Sequence, residues 1–323
     1  MNTLSVAGRY VIEQVAGSGG MARVWRADDA RGHGRVAIKR ILDELKGDAE
    51  VRAMFDDEAA ITASIAHPNV VSLLDRGVDA EGPWLALEWV DGLNAHEIVA
   101  TRKAPLGVRA ALSLGVDLLH ALAATHGPGV GVIHRDVAPS NVLVGLDGVA
   151  RLADYGLARS IARARVNAAG TAKGKIGYLP PEVLRGSIHG TRGDLYGAGA
   201  VLWELLAGRR LFAGVTSKST LAHAYLYARR PSLESVNPCV PLGVASVIDS
   251  ALSVDPAKRP PSALAMAERL LVAAEQEGVS PSPGELSVAV WGARRAIAGA
   301  DARRRAELVR ATVAAPRTLA RTG

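Results

Sequence analysis

Along the first ninety residues apolar and polar side chains alternate with a period of two, and β-branched and aromatic residues are frequent. The pattern predicts strands over 9–15, 23–26, 34–41, 70–74 and 84–90. Glycines at 17, 19 and 20 break the first of these and turn it into the second as a hairpin. From 48 to 66 the period becomes helical, placing Val51, Phe55, Ala59, Thr62 and Ile65 on one face. His67-Pro68-Asn69 ends that helix, because proline disfavours the α conformation before it. Five strands and one helix make a small lobe, with Asp91-Gly92 as the hinge out of it. Beyond residue 92 the pattern turns helical, over 107–126, 194–207, 217–228, 243–254 and 262–275, with a short hairpin about Asp147-Gly148. The whole reads as an α+β chain of two lobes, 1–91 and 92–279, followed by a Pro/Ser linker at 280–284 and an extension over 280–323.

At 323 residues and 49% hydrophobic, the chain can bury one or two cores. A single cysteine, Cys239, rules out an intrachain disulfide and a thiolate metal cluster, which fits a reducing cytoplasm. Neither a signal peptide nor a membrane span is expected. Charge alters the picture in one place. Residues 280–323 carry eight arginines against Glu285, Asp301 and Glu307, so the tail holds +5 of the net +6. The body gives no reason to expect nucleic acid as a partner. The tail has helix-forming composition over 284–313 and four open fates: docking on the large lobe, docking on a partner, contacting acidic surfaces, or remaining a solvated, partly disordered extension.

Chemistry concentrates in four stretches. Val132-Ile133 and Val142-Leu143-Val144 bracket a polar turn with His134, Arg135, Asp136 and Asn141. A turn held between buried strands is a rigid mount, and its carboxylate and amide suit a hydroxyl proton and a hard cation. Gly17-Ser18-Gly19-Gly20 sits between strands, where backbone N–H groups can approach phosphates without Cβ obstruction. In Val36-Ala37-Ile38-Lys39 a lysine shares a strand face with Ala37, and Glu58 on the following helix is its candidate partner. Asp154, in Leu152-Ala-Asp-Tyr-Gly156, offers a second oxygen ligand beside Asn141.

In this order and at this spacing the stretches resemble the eukaryotic-type, or Hanks-type, protein kinase family, over about residues 9–276. The wording Gly-Ser-Gly-Gly-Met-Ala and His-Arg-Asp-Val-Ala-Pro-Ser-Asn resembles its bacterial serine/threonine branch. The resemblance implies a bilobal kinase-like fold and transfer of the γ-phosphoryl group of Mg-ATP to Ser/Thr hydroxyls of a protein substrate. It assigns Gly17, Ser18, Gly19 and Gly20 to the phosphates, and Lys39, tied by Glu58, to the α/β-phosphates. Leu87 would be the gatekeeper, the backbone of Glu88 and Val90 would meet adenine, and Val24, Ala37 and Leu143 would sandwich it. Asp136 would take the acceptor proton, and Asn141 and Asp154 would hold Mg²⁺. Glu182 would pair with Arg259, and Asp194 would anchor the catalytic loop.

Three departures accompany the resemblance. Ala138 stands where a lysine is usual, Lys175 where a threonine is usual, and Tyr155 where a phenylalanine is usual. Lys175 is a candidate to supply the cation that Ala138 lacks, and Thr171 is a candidate autophosphorylation site that Arg135 would clamp. Two alternatives follow: a pseudokinase that holds nucleotide without turnover, and a small-molecule phosphotransferase of related fold. The Pro-Pro-Glu182 segment with its distant arginine argues against the second.

Overall fold

The computed structural model describes residues 5–156, 176–212 and 230–314. The amino-terminal lobe is built on β1 (Ser5–Val6), β2 (Tyr10–Ser18), β3 (Ala22–Asp29), β4 (Gly34–Ile41), β5 (Leu73–Asp79) and β6 (Gly82–Glu88). They form one antiparallel sheet in the order β1-β2-β3-β4-β6-β5. The sheet therefore has six strands where the alternation predicts five. The extra strand forms because Ala7 and Gly8, both at positive φ, fold Val6 back into an apolar seat beside Tyr10 and Trp84. The strand expected over 70–74 begins later and runs to Asp79, since its polar residues have partners: Asp75 takes Arg9 and Asp79 takes Arg40.

Period-two alternation gives β4 two jobs. Val36 and Ile38 face a small cluster with Tyr10, Ala27, Trp84 and Ala86. Ile41 lies on the opposite face with Leu85, Val51, Phe55 and Ala59, and Lys39 shares that face. The helix supplying Val51, Phe55 and Ala59 is α1 (Ala49–Ala63), capped by the Asp48 side chain, which accepts from the N–H groups of Glu50 and Val51. Helical spacing buries Glu58 on the sheet side and leaves Asp56 exposed.

The second lobe starts with β7 (Gly92–Asn94), which pairs with β8 (Val142–Gly145), itself paired with β9 (Ala150–Leu152). Asn94 and Glu97 form a reciprocal capping box that starts α2 (Ala95–Arg102), a helix the apolar period alone does not reveal. Helix α3 (Val108–His126) crosses the centre of the lobe. It packs against α5 (Thr191–Ala207), which follows α4 (Pro181–Leu184) and is buried from Gly193 to Ala207, as expected of a helix apolar on all sides. The short α6 (Leu233–Val236), then α7 (Leu242–Ala251) and α8 (Ala263–Gln276), complete the body. By length and composition α3 alone among the described helices could cross a membrane, and 61% of that window is buried inside this core. The helix expected over 217–228, and Ser160, Thr171 and Lys175, lie outside the described residues.

Residues 283–314 form α9 (Pro283–Ala314), with proline at its first position. The preceding linker is pinned: the N–H of Ser282 donates to the Arg109 carbonyl, and Arg109 Nε donates to the Ser280 carbonyl. Leu286 and Val290 are fully buried in the same core as α3, Ser287 Oγ donates to the Leu146 carbonyl at 2.6 Å, and Arg294 pairs with Asp91 at 2.9 Å. The Pro283 carbonyl lies 2.0 Å from where a Cβ on Gly148 would stand, and Gly148 has φ +77°. Gly148→Ala is expected to lose about 2 kcal/mol or more of stability, read as a lower urea midpoint, because both backbone strain and a backbone collision oppose it.

Candidate active site

Lys39 comes from the middle of β4 and points between the lobes. Its ammonium donates to both oxygens of Glu58, at 2.6 and 2.7 Å, and to Asp154 Oδ1 at 3.1 Å. Burial disfavours the ammonium, but Asp154 and Glu58 outweigh it and raise the Lys39 pKa, so the lysine stays charged. Burial and the neighbouring Asp154 charge push Glu58 upward, and the Lys39 ammonium opposes them. Glu58 is nearly enclosed, whereas the Asp154 side chain is 43% exposed and can still meet a ligand in the cleft.

The catalytic-loop candidates converge on the other wall. Asn141 Nδ2 donates to the Asp136 carbonyl at 2.8 Å and to Asp136 Oδ2 at 2.9 Å, which directs the amide oxygen away from Asp136. The N–H of Ala153 donates to the Asn141 carbonyl, joining this loop to the Asp154 turn. His134 adds a second link. Its Nδ1 accepts from the Asp136 N–H, so the ring proton is on Nε2 and donates to the Ala153 carbonyl at 3.2 Å. Burial lowers the His134 pKa, in keeping with that neutral ring. Arg135 and Asp154 both hold left-handed backbone, φ 65° and 70°, which non-glycine residues adopt only where their surroundings impose it.

Those surroundings are organised by Asp194, which is fully buried at the start of α5. One carboxylate oxygen accepts the His134 N–H and His126 Nε2, at 2.8 and 2.9 Å. The other accepts the Arg135 N–H and His189 Nε2, at 2.8 and 3.1 Å. Burial alone would raise the Asp194 pKa, but the bonds from His126 and His189 hold it far below the ordinary carboxylate range. Further out, Arg259 forms a two-pronged pair with Glu182, at 2.7 and 2.6 Å. Sequence reasoning singles out Asp194, Glu182 and Arg259 but misses His126 and His189 as donors. The signal was faint, two histidines 63 residues apart that belong to no shared motif.

The nucleotide-side candidates lie on or beside the strands around Lys39 and on β8. Val24 stands opposite Lys39 in register, and Ala37 opposite Leu87, so these side chains share the face of the sheet that carries Lys39. Gly17 and Ser18 end β2, and the Gly19 N–H closes the loop on the Ala22 carbonyl at 2.8 Å, with Gly20 at its tip. Below, Leu143 is half-buried in β8, while its neighbours Val142 and Val144 turn fully into the core. Glu88 is held at the hinge by Arg151, at 3.0 Å, and Val90 follows two residues on. The donors Asn141 and Asp154 are hard oxygen ligands, and the exposed Asp154 carboxylate suits a divalent cation that keeps phosphate and water oxygens. Ala138 is buried and its methyl carries no charge, so that position supplies no cation.

Residues 10–271 match the protein kinase domain family. The chain belongs to that family. Its curated relatives include bacterial serine/threonine protein kinases. It is 34% identical over 254 residues to serine/threonine-protein kinase PrkC of Bacillus subtilis, covering 79% of this chain and 39% of PrkC. It is 33% identical over 268 residues to PknL of Mycobacterium tuberculosis, covering 83% of this chain and 66% of PknL. This chain thus spans less than two thirds of either relative. The crystal structure of the Mycobacterium tuberculosis PknI kinase domain is similar over 85% of this chain and 99% of that one, with a TM-score of 0.63 at 25% identity. Kinases of this family take ATP as substrate, typically with a divalent metal.

Asp194→Asn is expected to cost about 2–4 kcal/mol, because an amide nitrogen would face donors where the carboxylate now accepts. Urea unfolding at several pH values checks it. A carboxyl held low in the folded state lends stability that is complete above the unfolded value, about pH 4, and fades as pH falls below it. The gap between wild type and variant should therefore narrow on acidification below about pH 4.

Proposed function

We propose that this chain is an active protein kinase that transfers the γ-phosphoryl group of Mg-ATP to serine or threonine hydroxyls of a protein acceptor. The observation that carries the reading is the Lys39 ammonium held between Glu58 and Asp154, a cation fixed at the mouth of a cleft walled by strands and the catalytic loop. In this reading Lys39 binds the α/β-phosphates, the loop from Gly17 to Gly20 covers them, and Val24, Ala37, Leu143 and the backbone of Glu88 and Val90 hold the adenine. Asp136 orients the acceptor hydroxyl and takes its proton. The hydroxyl oxygen bonds to the γ-phosphorus while the bond to the β–γ bridging oxygen breaks, and ADP leaves. Asn141 and Asp154 would hold Mg²⁺, which neutralises charge on the phosphate oxygens. The work is chiefly positioning and charge neutralisation, so these groups should dominate the rate.

Residues 1–91 and 92–279 are assigned as the two lobes and 280–323 as an extension. Burial of Leu286 and Val290 against α3 supports docking of that extension on the large lobe of its own chain. Use of ATP and the lone exposed Cys239 favour a cytoplasmic site of action. The names of the relatives lend no support to the pseudokinase alternative. Lys39→Met and Asp154→Asn should each reduce phosphoryl transfer to a generic basic protein by at least about a hundredfold, with circular dichroism unchanged. Turnover within a few-fold of wild type in either variant would remove the reading. Phosphoamino-acid analysis of the acceptor then tests the serine/threonine preference.

A further inference from the structure

The turn that presents Asp154 carries a tyrosine whose hydroxyl has a partner. Tyr155 is 2% exposed, and its ring meets His134 edge-on, with centroids 4.7 Å apart and planes at 63°. Its Oη lies 3.1 Å from Oγ1 of Thr125, in the last turn of α3, and Thr125 is fully buried. Thr125 Oγ1 also lies 2.7 Å from the Ala121 carbonyl and must donate its single proton there. The bond between the two hydroxyls therefore runs one way, from Tyr155 to Thr125.

Asp154 itself sits in left-handed backbone. On its amino-terminal side Ala153 is tied through its carbonyl to His134 and through its N–H to Asn141. On its carboxyl-terminal side the next residue is Tyr155, fixed by its ring and by Thr125. We propose that Tyr155 is a positioning residue: the bond from its hydroxyl to Thr125 fastens the strained Asp154 to the core helix α3 and sets the carboxylate for a divalent cation. A phenylalanine in its place would keep the edge contact with His134 and lose the fastening. The proposal rests on the kinase reading for the role of Asp154.

Tyr155→Phe, Thr125→Val and the double variant test it in the full chain. Each single variant should raise the Mg²⁺ concentration at half-saturation, in calorimetric titration of protein mixed with a non-hydrolysable ATP analogue, by roughly two- to tenfold. The Mg²⁺ dependence of turnover should move with it, while turnover at saturating Mg²⁺ stays within about twofold. The double variant should be no weaker than the singles, because one bond is lost in all three. Amide hydrogen exchange across 150–156 should quicken alike in each. An unchanged Mg²⁺ midpoint in Tyr155→Phe, even with a lower melting temperature, would mark the bond as structural only and overturn the proposal. Additive effects of the two substitutions would overturn it too. Wild-type protein that binds Mg²⁺ and the analogue yet transfers no phosphate would sink the kinase reading alone, and the calorimetric comparison would still decide the role of Tyr155.

Discussion

One cation between two carboxylates sets the geometry from which the rest follows. Lys39, Glu58 and Asp154 belong to a strand, a helix and a loop, and the last is 115 residues from the first. An ammonium that has left water needs oxygen partners close by, and here each partner comes from a different element. The strand must therefore lie across the helix, and both must face the turn after β9, or the charge is stranded. Sheet alternation makes this possible, since the face of β4 that carries Lys39 also carries Ile41, which seats α1. Apolar packing and the ion pair thus select the same arrangement.

The far wall of the cleft obeys a second constraint of the same kind with the sign reversed. Asp194 is an anion with no access to water, and its four donors come from α3, the catalytic loop and the segment before α5. Satisfying it fixes the backbone N–H groups on which Arg135 turns into left-handed conformation and Asp136 follows. The strain at Arg135 and at Asp154 is tolerated because buried charge and a neutral His134 hold both loops from beneath. A buried polar network of this kind is costly when incomplete and rigid when complete.

Much of this was legible in the sequence because the chemistry resides in short, contiguous stretches. The pairing of Lys39 with Glu58 could be read from a lysine inside an apolar strand and an acidic residue on a helical face. Asn141 could be read from a polar turn with strand-like flanks, of which Val142 to Val144 lie in β8 while Val132 and Ile133 lie in no strand, and Asp154 from strand-like residues before a glycine turn. What stayed hidden depends on distance along the chain. The donors His126 and His189, the Tyr155–Thr125 bond and the Arg294–Asp91 pair each join residues that no local pattern links. Helix α2 was hidden for another reason: it is short and half polar, so its capping box speaks louder than its apolar period. The two-residue β1 was beneath the reach of alternation altogether.

The helix α9 lies wholly beyond residue 271, where the family match stops. Yet Leu286, Ala289, Val290 and Ala293 have the burial of interior residues. A polypeptide trimmed to the family boundary would bare the oily flank of α3 that they cover, and such uncovered patches invite self-association. The folded unit of this chain is therefore longer than the domain its motifs outline.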